Sequence, residues 1–244
     1  MILAILQARM SSSRLPGKVL MPLAGAPMIA RQIERVCRAT LIDRLVVATS
    51  EDPSDDPLAK AVRREAITVF RGSLEDVQGR FLGALDENDR SGGRPADYVV
   101  RLTGDCPLAD PEVIDATIRR VLDAGADYGS NTPPHRTYPK GLDVEVMTAA
   151  ALRAAAARAT TPEEHEHVTW TLHRRPDLYR HAFLSQGPEE GDVRWTVDFP
   201  HDYAFVAEVY DALYPANHAF TSDDVRDLVR GREDLAHYGG ERRV

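Results

Sequence analysis

A chain of 244 residues with 43% hydrophobic and 28% charged residues has the make-up of a soluble globular protein, and folding would bury roughly 70% of its unfolded surface. The formal net charge of −8 argues against general nucleic-acid binding, which needs a basic footprint, but leaves room for a small anion held by a local cluster of positive charge. Two cysteines are too few for a disulfide framework, and no apolar stretch approaches the ~20 residues of a membrane span.

Short apolar runs alternate with amphipathic segments. "ILAIL" (2–6) reads as a buried parallel strand, too short for a signal-peptide core and without a basic residue before it, so a cytoplasmic protein is expected. After Pro27, a good first-turn residue, Ile29, Ile33, Val36 and Cys37 repeat at helical spacing, which predicts Cys37 in the core. "RLVVATS" (44–50), "ITVF" (67–70) and "DYVVRLTG" (97–104) read as further strands. Asp110 and Pro111 read as N-cap and first helical residue of a helix carrying Val113, Ile114, Ile118, Val121 and Leu122 on one face. This alternation predicts an α/β fold, a mostly parallel central sheet with helices on both faces.

Further on, "LDVEVM" (142–147) alternates like a half-buried strand, and Thr161 to Glu164 opens a helix with a capping box. "RWTVDFP" (194–200) is strand-like and runs into a helix ending near Tyr214; Thr221 to Asp224 caps the last helices, and 239–244 reads as a frayed tail. Loops are expected at 51–57, 87–97, 131–141 and 186–192. There is no internal repeat and no evident linker, so one domain is expected over 1–244, in parts of about 1–130 and about 131–205 followed by helices to 238.

The chemistry concentrates where the first strand ends. Open α/β sheets bind ligands beyond the carboxyl ends of their strands, and Gln7 to Lys18 leaves at that edge. Ser11 to Ser13 and Gly17 let backbone N–H groups approach an anion; Arg9, Arg14 and Lys18 supply charge, and Pro16 stiffens the loop. A solvated basic turn is the plain alternative, but three cations and a glycine in one strand-exit loop point to phosphate. A Walker A loop is excluded, because Ser12 stands where its first glycine belongs and Val19 follows the lysine; no GxGxxG follows the strand.

"QARMSSSRLPGKVLMPLAGAPMI" resembles the N-terminal signature of the SpsF-type cytidylyltransferases, relatives of the CMP-KDO and CMP-acylneuraminate synthetases. Matching blocks are "VVATSEDPSDDPLA", "VFRGSLEDVQGRF", "VRLTGDCPLADPEVID", "YPKGLDVEV", "EHEHVTW" and "RWTVDFPHD", so the resemblance covers residues 1 to about 205. It implies a GT-A-like nucleotidyltransferase fold and transfer of CMP from CTP to a hydroxyl of a sugar or sugar acid, with release of pyrophosphate, for surface polysaccharide or glycoconjugate synthesis. Arg9, Arg14 and Lys18 would then face the triphosphate. Gln7, Ala8, Ser13, Arg71, Ser73 and Thr103 would line the nucleotide, and Asp105 and Asp198, the latter at a strand end, would hold Mg²⁺ or Mn²⁺. A homodimer is also implied. Ser11 departs from the pattern, standing where this family is expected to have a glycine and a backbone angle that serine tolerates less well.

Capping alone explains Ser73, read as an N-cap with Asp76 three residues on, and Asp202 reads as a first-turn residue complementing its helix dipole. Tyr138, Lys140, Asp143, Glu145 and His167 are the candidate acceptor side, with Arg136 beside them; Asp143 and Glu145 would equally suit outward positions on a strand. His165 and His167 do not make a zinc site, because i and i+2 on a helix diverge and Thr169 replaces the second histidine of HExxH. Three alternatives stay open: a sugar-1-phosphate nucleotidylyltransferase, a GT-A glycosyltransferase, and a non-catalytic nucleotide-binding subunit. The glycosyltransferase would want a DxD-type pair where Cys106 and Pro107 follow Asp105.

Overall fold

The opening apolar run forms β1 (Ile2–Gln7), and its residues Leu3 to Leu6 are fully buried. The computed structural model describes residues 1–91, 94–132 and 134–244. A short hairpin of β2 (Pro22–Leu23) and β3 (Ala26–Pro27) leads into α1 (Met28–Val36). Then come β4 (Arg44–Ser50), α2 (Asp56–Arg64), β5 (Thr68–Gly72), α3 (Val77–Arg90), β6 (Tyr98–Thr103) and α4 (Pro111–Asp123). After β7 (Tyr128–Ser130) and β8 (Glu145–Thr148) lie α5 (Ala149–Ala156) and the short α6 (Pro162–Glu166) and α7 (Trp170–Arg174). The chain closes with β9 (His181–Phe183), α8 (Pro200–Leu213), α9 (Ser222–Gly231) and α10 (Glu233–Ala236).

Seven strands make one sheet in the order β5-β4-β1-β6-β8-β7-β9. The strands β5, β4, β1 and β6 are parallel; β8 runs antiparallel to both β6 and β7, and β9 is parallel to β7. Alternation along β1 divides the core in two. Ala4 and Leu6 pack with Ile33 of α1, Ile118 of α4 and Phe205 of α8, while Leu3 and Ile5 pack with Phe81 of α3 and Leu152 of α5. Both faces are therefore covered, and truncating a residue such as Leu6 to alanine would cost about 2–5 kcal/mol. The parallel strands all deliver their carboxyl ends, Gln7, Ser50, Gly72 and Thr103, to one edge.

Several expectations are corrected. Helix α1 stops at Val36, and Cys37, as its C-cap, is exposed rather than in the core. Of the strand expected over 142–147, only Glu145 to Met147 pairs, as part of β8. "RWTVDFP" forms no strand beyond a single bridge at Arg194 and bends before α8 begins at Pro200, so Asp198 does not sit at a strand end. Its backbone bonds go to three separate segments: Arg194 N–H to Arg242 O, Trp195 N–H to Lys140 O and Val197 N–H to Asp105 O, which leaves a single bridge between Lys140 and Arg194 in place of a ladder. Asp76, not Ser73, caps α3 by accepting from Gly79 N–H at 2.7 Å; Ser73 Oγ accepts from Asp76 N–H one turn earlier. The tail is not frayed, for Arg243 is 0% exposed. In the expected loops, 87–90 complete α3, and residues 92, 93 and 133 lie outside the described residues. The caps at Asp110, Thr161 and Thr221 form as expected.

Candidate active site

The loop leaving β1 is closed by its own backbone and pinned by a buried carboxylate. Met10 O accepts from Ser12 N–H at 2.9 Å and from Gly17 N–H at 3.0 Å, and Gly17 turns the chain at φ 72° into the single helical turn that carries Lys18. Asp55, 0% exposed, accepts from Met10 N–H (2.7 Å), Thr49 Oγ1 (2.8 Å) and Ser50 N–H (3.0 Å). Burial alone would raise its pKa, but the bonds from Ser50, Met10 and Thr49 outweigh that and hold it below the ordinary carboxylate range. Ser11 needs no glycine-like angle: among the described residues, only Ala24 and Ala66 combine a side chain with positive φ.

Lys18 joins this loop to two distant carboxylates. Its side chain, only 10% exposed, donates to Val197 O at 2.6 Å, and its Nζ lies 3.1 Å from Asp198 Oδ1 and 3.6 Å from Asp105 Oδ2. Asp105 follows β6 through Gly104, where a side chain would meet Ala8 Cβ at 2.8 Å. Val197 N–H and Thr196 Oγ1 both donate to Asp105 O, at 2.8 and 3.2 Å, and so tie the two acidic segments together. Arg14 Nη2 also reaches Asp198 Oδ1 at 2.7 Å, and Arg194 Nη2 reaches Asp198 Oδ2 at 2.8 Å. Burial would raise the Asp198 carboxyl; Lys18, Arg194 and Arg14 together hold it below the usual range.

Arg14, Lys18, Asp105 and Asp198 line a cavity of about 450 Å³. Of the candidate nucleotide, catalytic and metal residues, Gln7, Ala8, Arg9, Ser13, Arg14, Lys18, Thr103, Asp105 and Asp198 all border it. Arg71 and Ser73 do not: Arg71 is spent on Ser50 O, Asp52 O and Asp56, and Ser73 on its helix start. The same wall instead holds Arg80, which sequence reasoning missed. It is 2% exposed, donates through Nη1 to Ser73 O at 2.8 Å, and among the described residues has no partner for its buried Nε. Burial, and then nearby Arg9, lower its pKa. The one available signal was its place in "EDVQGR", four residues past the helix cap.

A second cavity of about 490 Å³ adjoins the first and shares Arg101, Thr103 and His167 with it. Its floor is Glu145, which accepts from Tyr128 Oη (2.6 Å), Thr169 Oγ1 (2.7 Å) and Arg101. Burial would raise Glu145, but Arg101 and the two hydroxyls keep it ionised below the ordinary range. Arg136 grips Asp143 with both Nη atoms, at 2.5 and 2.8 Å. Of the acceptor candidates, Asp143, Glu145 and His167 are here. Tyr138 and Lys140 are not: Tyr138 faces a separate depression with Asp110 and Arg226, and Lys140 is exposed at the bridge to Arg194. His165 turns away to Asp76, 3.5 Å off, and His167 stacks on Trp170 at 5.6 Å.

Asp105 and Asp198 converge on one cationic group, and both offer hard oxygen donors to the cavity. Among the described residues no group of three or more histidine, cysteine, aspartate or glutamate side chains is placed to hold a metal ion by itself. Two carboxylates left to be completed by phosphate oxygens and water suit Mg²⁺ or Mn²⁺, so the residues present fit such an ion.

Residues 3–209 match the sequence profile of the family described as cytidylyltransferase. The chain is 36% identical over 221 residues to the spore coat polysaccharide biosynthesis protein SpsF of Bacillus subtilis, covering 86% of each chain. It is 32% identical over 205 residues to a 3-deoxy-manno-octulosonate cytidylyltransferase of Mesorhizobium japonicum, covering 77% of this chain and 81% of the other. Among solved structures, a cytidylyltransferase from Leptospira borgpetersenii superposes with a TM-score of 0.88 at 25% identity, covering 96% of this chain and 95% of that one. A CMP:2-keto-3-deoxy-manno-octonic acid synthetase complexed with CTP shares the fold, with a TM-score of 0.61 at 18% identity over 86% of this chain and 98% of that one.

Proposed function

The chain belongs to the cytidylyltransferase family, and from that membership we propose that it moves CMP from CTP to a hydroxyl of a sugar or sugar acid for polysaccharide synthesis. The observation that carries the assignment of roles is the convergence of Lys18, Asp105 and Asp198 at the mouth of the β1 loop. CTP lies in the first cavity with its triphosphate against Arg9, Arg14 and Lys18, whose charge offsets that of the phosphates and of the departing pyrophosphate. Asp105 and Asp198 hold a divalent cation, which supplies charge neutralisation at the triphosphate. Arg80 faces the nucleotide from α3. The acceptor occupies the second cavity, with its hydroxyls toward Glu145, Asp143 and His167, and reaches the α-phosphorus past Thr103 and Arg101, which border both cavities. Catalysis is then mostly positioning and electrostatics.

No helix among the described residues is long and apolar enough to cross a membrane; a cytoplasmic homodimer using CTP and a sugar-type acceptor, with no nucleic acid, completes the reading. The test is product analysis with CTP, Mg²⁺ and a panel of sugars and sugar acids. Pyrophosphate and a CMP-linked sugar are expected. Turnover of sugar 1-phosphates would move the chain to the sibling reaction. Release of a nucleoside phosphate from a finished nucleotide sugar would make it a glycosyltransferase, and binding without turnover a non-catalytic subunit.

A further inference from the structure

The family match ends at residue 209, yet the site is braced from residue 243. Asp202, in the first turn of α8, is 0% exposed and cannot sit there uncompensated. Its Oδ1 accepts from Arg243 Nη2 and Arg194 Nε, each at 3.0 Å. Its Oδ2 accepts from Arg194 Nη2 and from the N–H groups of Asp198 and Phe199, again each at 3.0 Å. Arg194 Nη2 is thus divided between Asp202 and Asp198, which it meets at 2.8 Å.

Arg243 is laid down firmly. Its N–H donates to Ala236 O (2.9 Å), Nε to Tyr238 O (3.1 Å) and Nη1 to Arg194 O (2.5 Å), while its own carbonyl accepts from Trp195 Nε1 (2.8 Å). We propose that Arg243 is a positioning residue for Asp198, acting through Asp202 and Arg194. By supplying the second of the two guanidinium groups around Asp202, it lets Arg194 Nη2 be shared with Asp198 Oδ2, which leaves Oδ1 turned to Lys18, Arg14 and the cavity. Without Arg243, the buried Asp202 draws Arg194 to itself and Asp198 loses its fixed orientation. The same Asp202 also holds the backbone N–H of Asp198, so both the main chain and the side chain of Asp198 depend on this brace.

The proposal rests on the reading that Asp198 helps to hold a divalent cation at the triphosphate. Its test is the calorimetric affinity for CTP measured with Mn²⁺ and without metal, in wild type, Arg243→Met, Asp198→Asn and the double variant. Arg243→Met is expected to reduce the gain from Mn²⁺ about 10-fold, as loss of an outer-sphere partner does. Metal-free affinity should hold, and the double variant should lose nothing beyond Asp198→Asn. An unchanged gain in folded Arg243→Met, additive losses in the double variant, or an equal fall with and without metal overturns the proposal. If Asp198→Asn itself leaves the gain unchanged, the cation reading falls and this inference with it; a loss in Asp198→Asn alone overturns only the inference. Should Arg243→Met fail to fold, Arg243→Lys, which keeps charge but not the fork, decides: an intermediate weakening supports the brace, and wild-type behaviour rejects it.

Discussion

Lys18 Nζ stands between the carboxylates of Asp198, at 3.1 Å, and Asp105, at 3.6 Å, although the three residues come from the β1 loop, the end of β6 and the approach to α8. One ammonium group therefore holds together the two acids that the proposed reaction needs side by side. It is also positioned to meet a phosphate oxygen that enters between them. The same geometry makes Lys18 dispensable for the sheet, since its partners are loop residues on the rim.

Replacing Lys18 with alanine should leave secondary structure intact and lower turnover about 100-fold or more, as expected for a charged contact that strengthens in the transition state. Circular dichroism and pyrophosphate release check this. Unimpaired turnover in the folded variant would remove Lys18 from the phosphate site.

Arg80 should matter for the nucleotide although it lies on a helix. Arg80→Met keeps the bulk and removes a buried, under-bonded guanidinium on the wall of the first cavity. KM for CTP should rise about 10-fold while the acceptor's KM stays put, about 1.4 kcal/mol of binding. Equal changes in both constants would mark Arg80 as a packing residue.

The two cavities separate the acceptor candidates. Lys140→Ala and Tyr138→Phe should leave the acceptor's KM within about twofold, because neither side chain borders the second cavity. Arg136→Ala frees the Asp143 carboxylate inside it and should raise that KM by about 10-fold or more. A panel of initial rates at saturating CTP distinguishes these outcomes, and a strong Lys140 effect would relocate the acceptor.

Base choice is open to a plain measurement. In the presence of Mg²⁺, CTP should raise the unfolding temperature more than ATP, GTP or UTP at equal concentration, since only a ligand of the folded state shifts the transition. A larger shift with UTP or GTP would point to a sugar-1-phosphate enzyme.

The residues legible in the sequence are those whose neighbours are local. The apolar runs of β1, β4 and β6 announced the sheet, and the cations and Gly17 of the β1 loop marked the rim of the first cavity, the proposed phosphate site. Asp105 and Asp198 were legible through resemblance. Arg80, Arg101, Arg194 and Arg243 were not, because an isolated arginine, or one in the terminal Arg242–Arg243 pair, is ordinarily expected at an exposed position. Their burial is set by partners such as Glu145, 44 residues from Arg101, and Asp202, 41 residues before Arg243. Arg71, which the resemblance assigned to the nucleotide, gives one bond from each of its three nitrogens to the adjoining 50–56 loop and does not border the cavity.

Asp202 should give the folded protein a distinct acid limb. Burial would raise its carboxyl, but the bonds from Arg194 and from the Asp198 and Phe199 amides carry it down from 3.8 to about 2. A group depressed in the folded state stabilises fully above its unfolded pKa and loses that contribution as pH falls through the folded value. Asp202 should therefore contribute about 2 kcal/mol at neutral pH, intact above about pH 4 and draining away toward pH 2. Asp198, lowered as well, adds in the same direction. In Asp202→Asn the buried Arg243 and the half-buried Arg194 lose their shared counter-charge, so stability at pH 7 should fall by about 3 kcal/mol or more. The decline between pH 4 and pH 2 should flatten at the same time. Denaturant unfolding of both proteins across that range measures the two effects together. An asparagine variant that keeps the wild-type slope would mean that the acid limb belongs to other carboxylates.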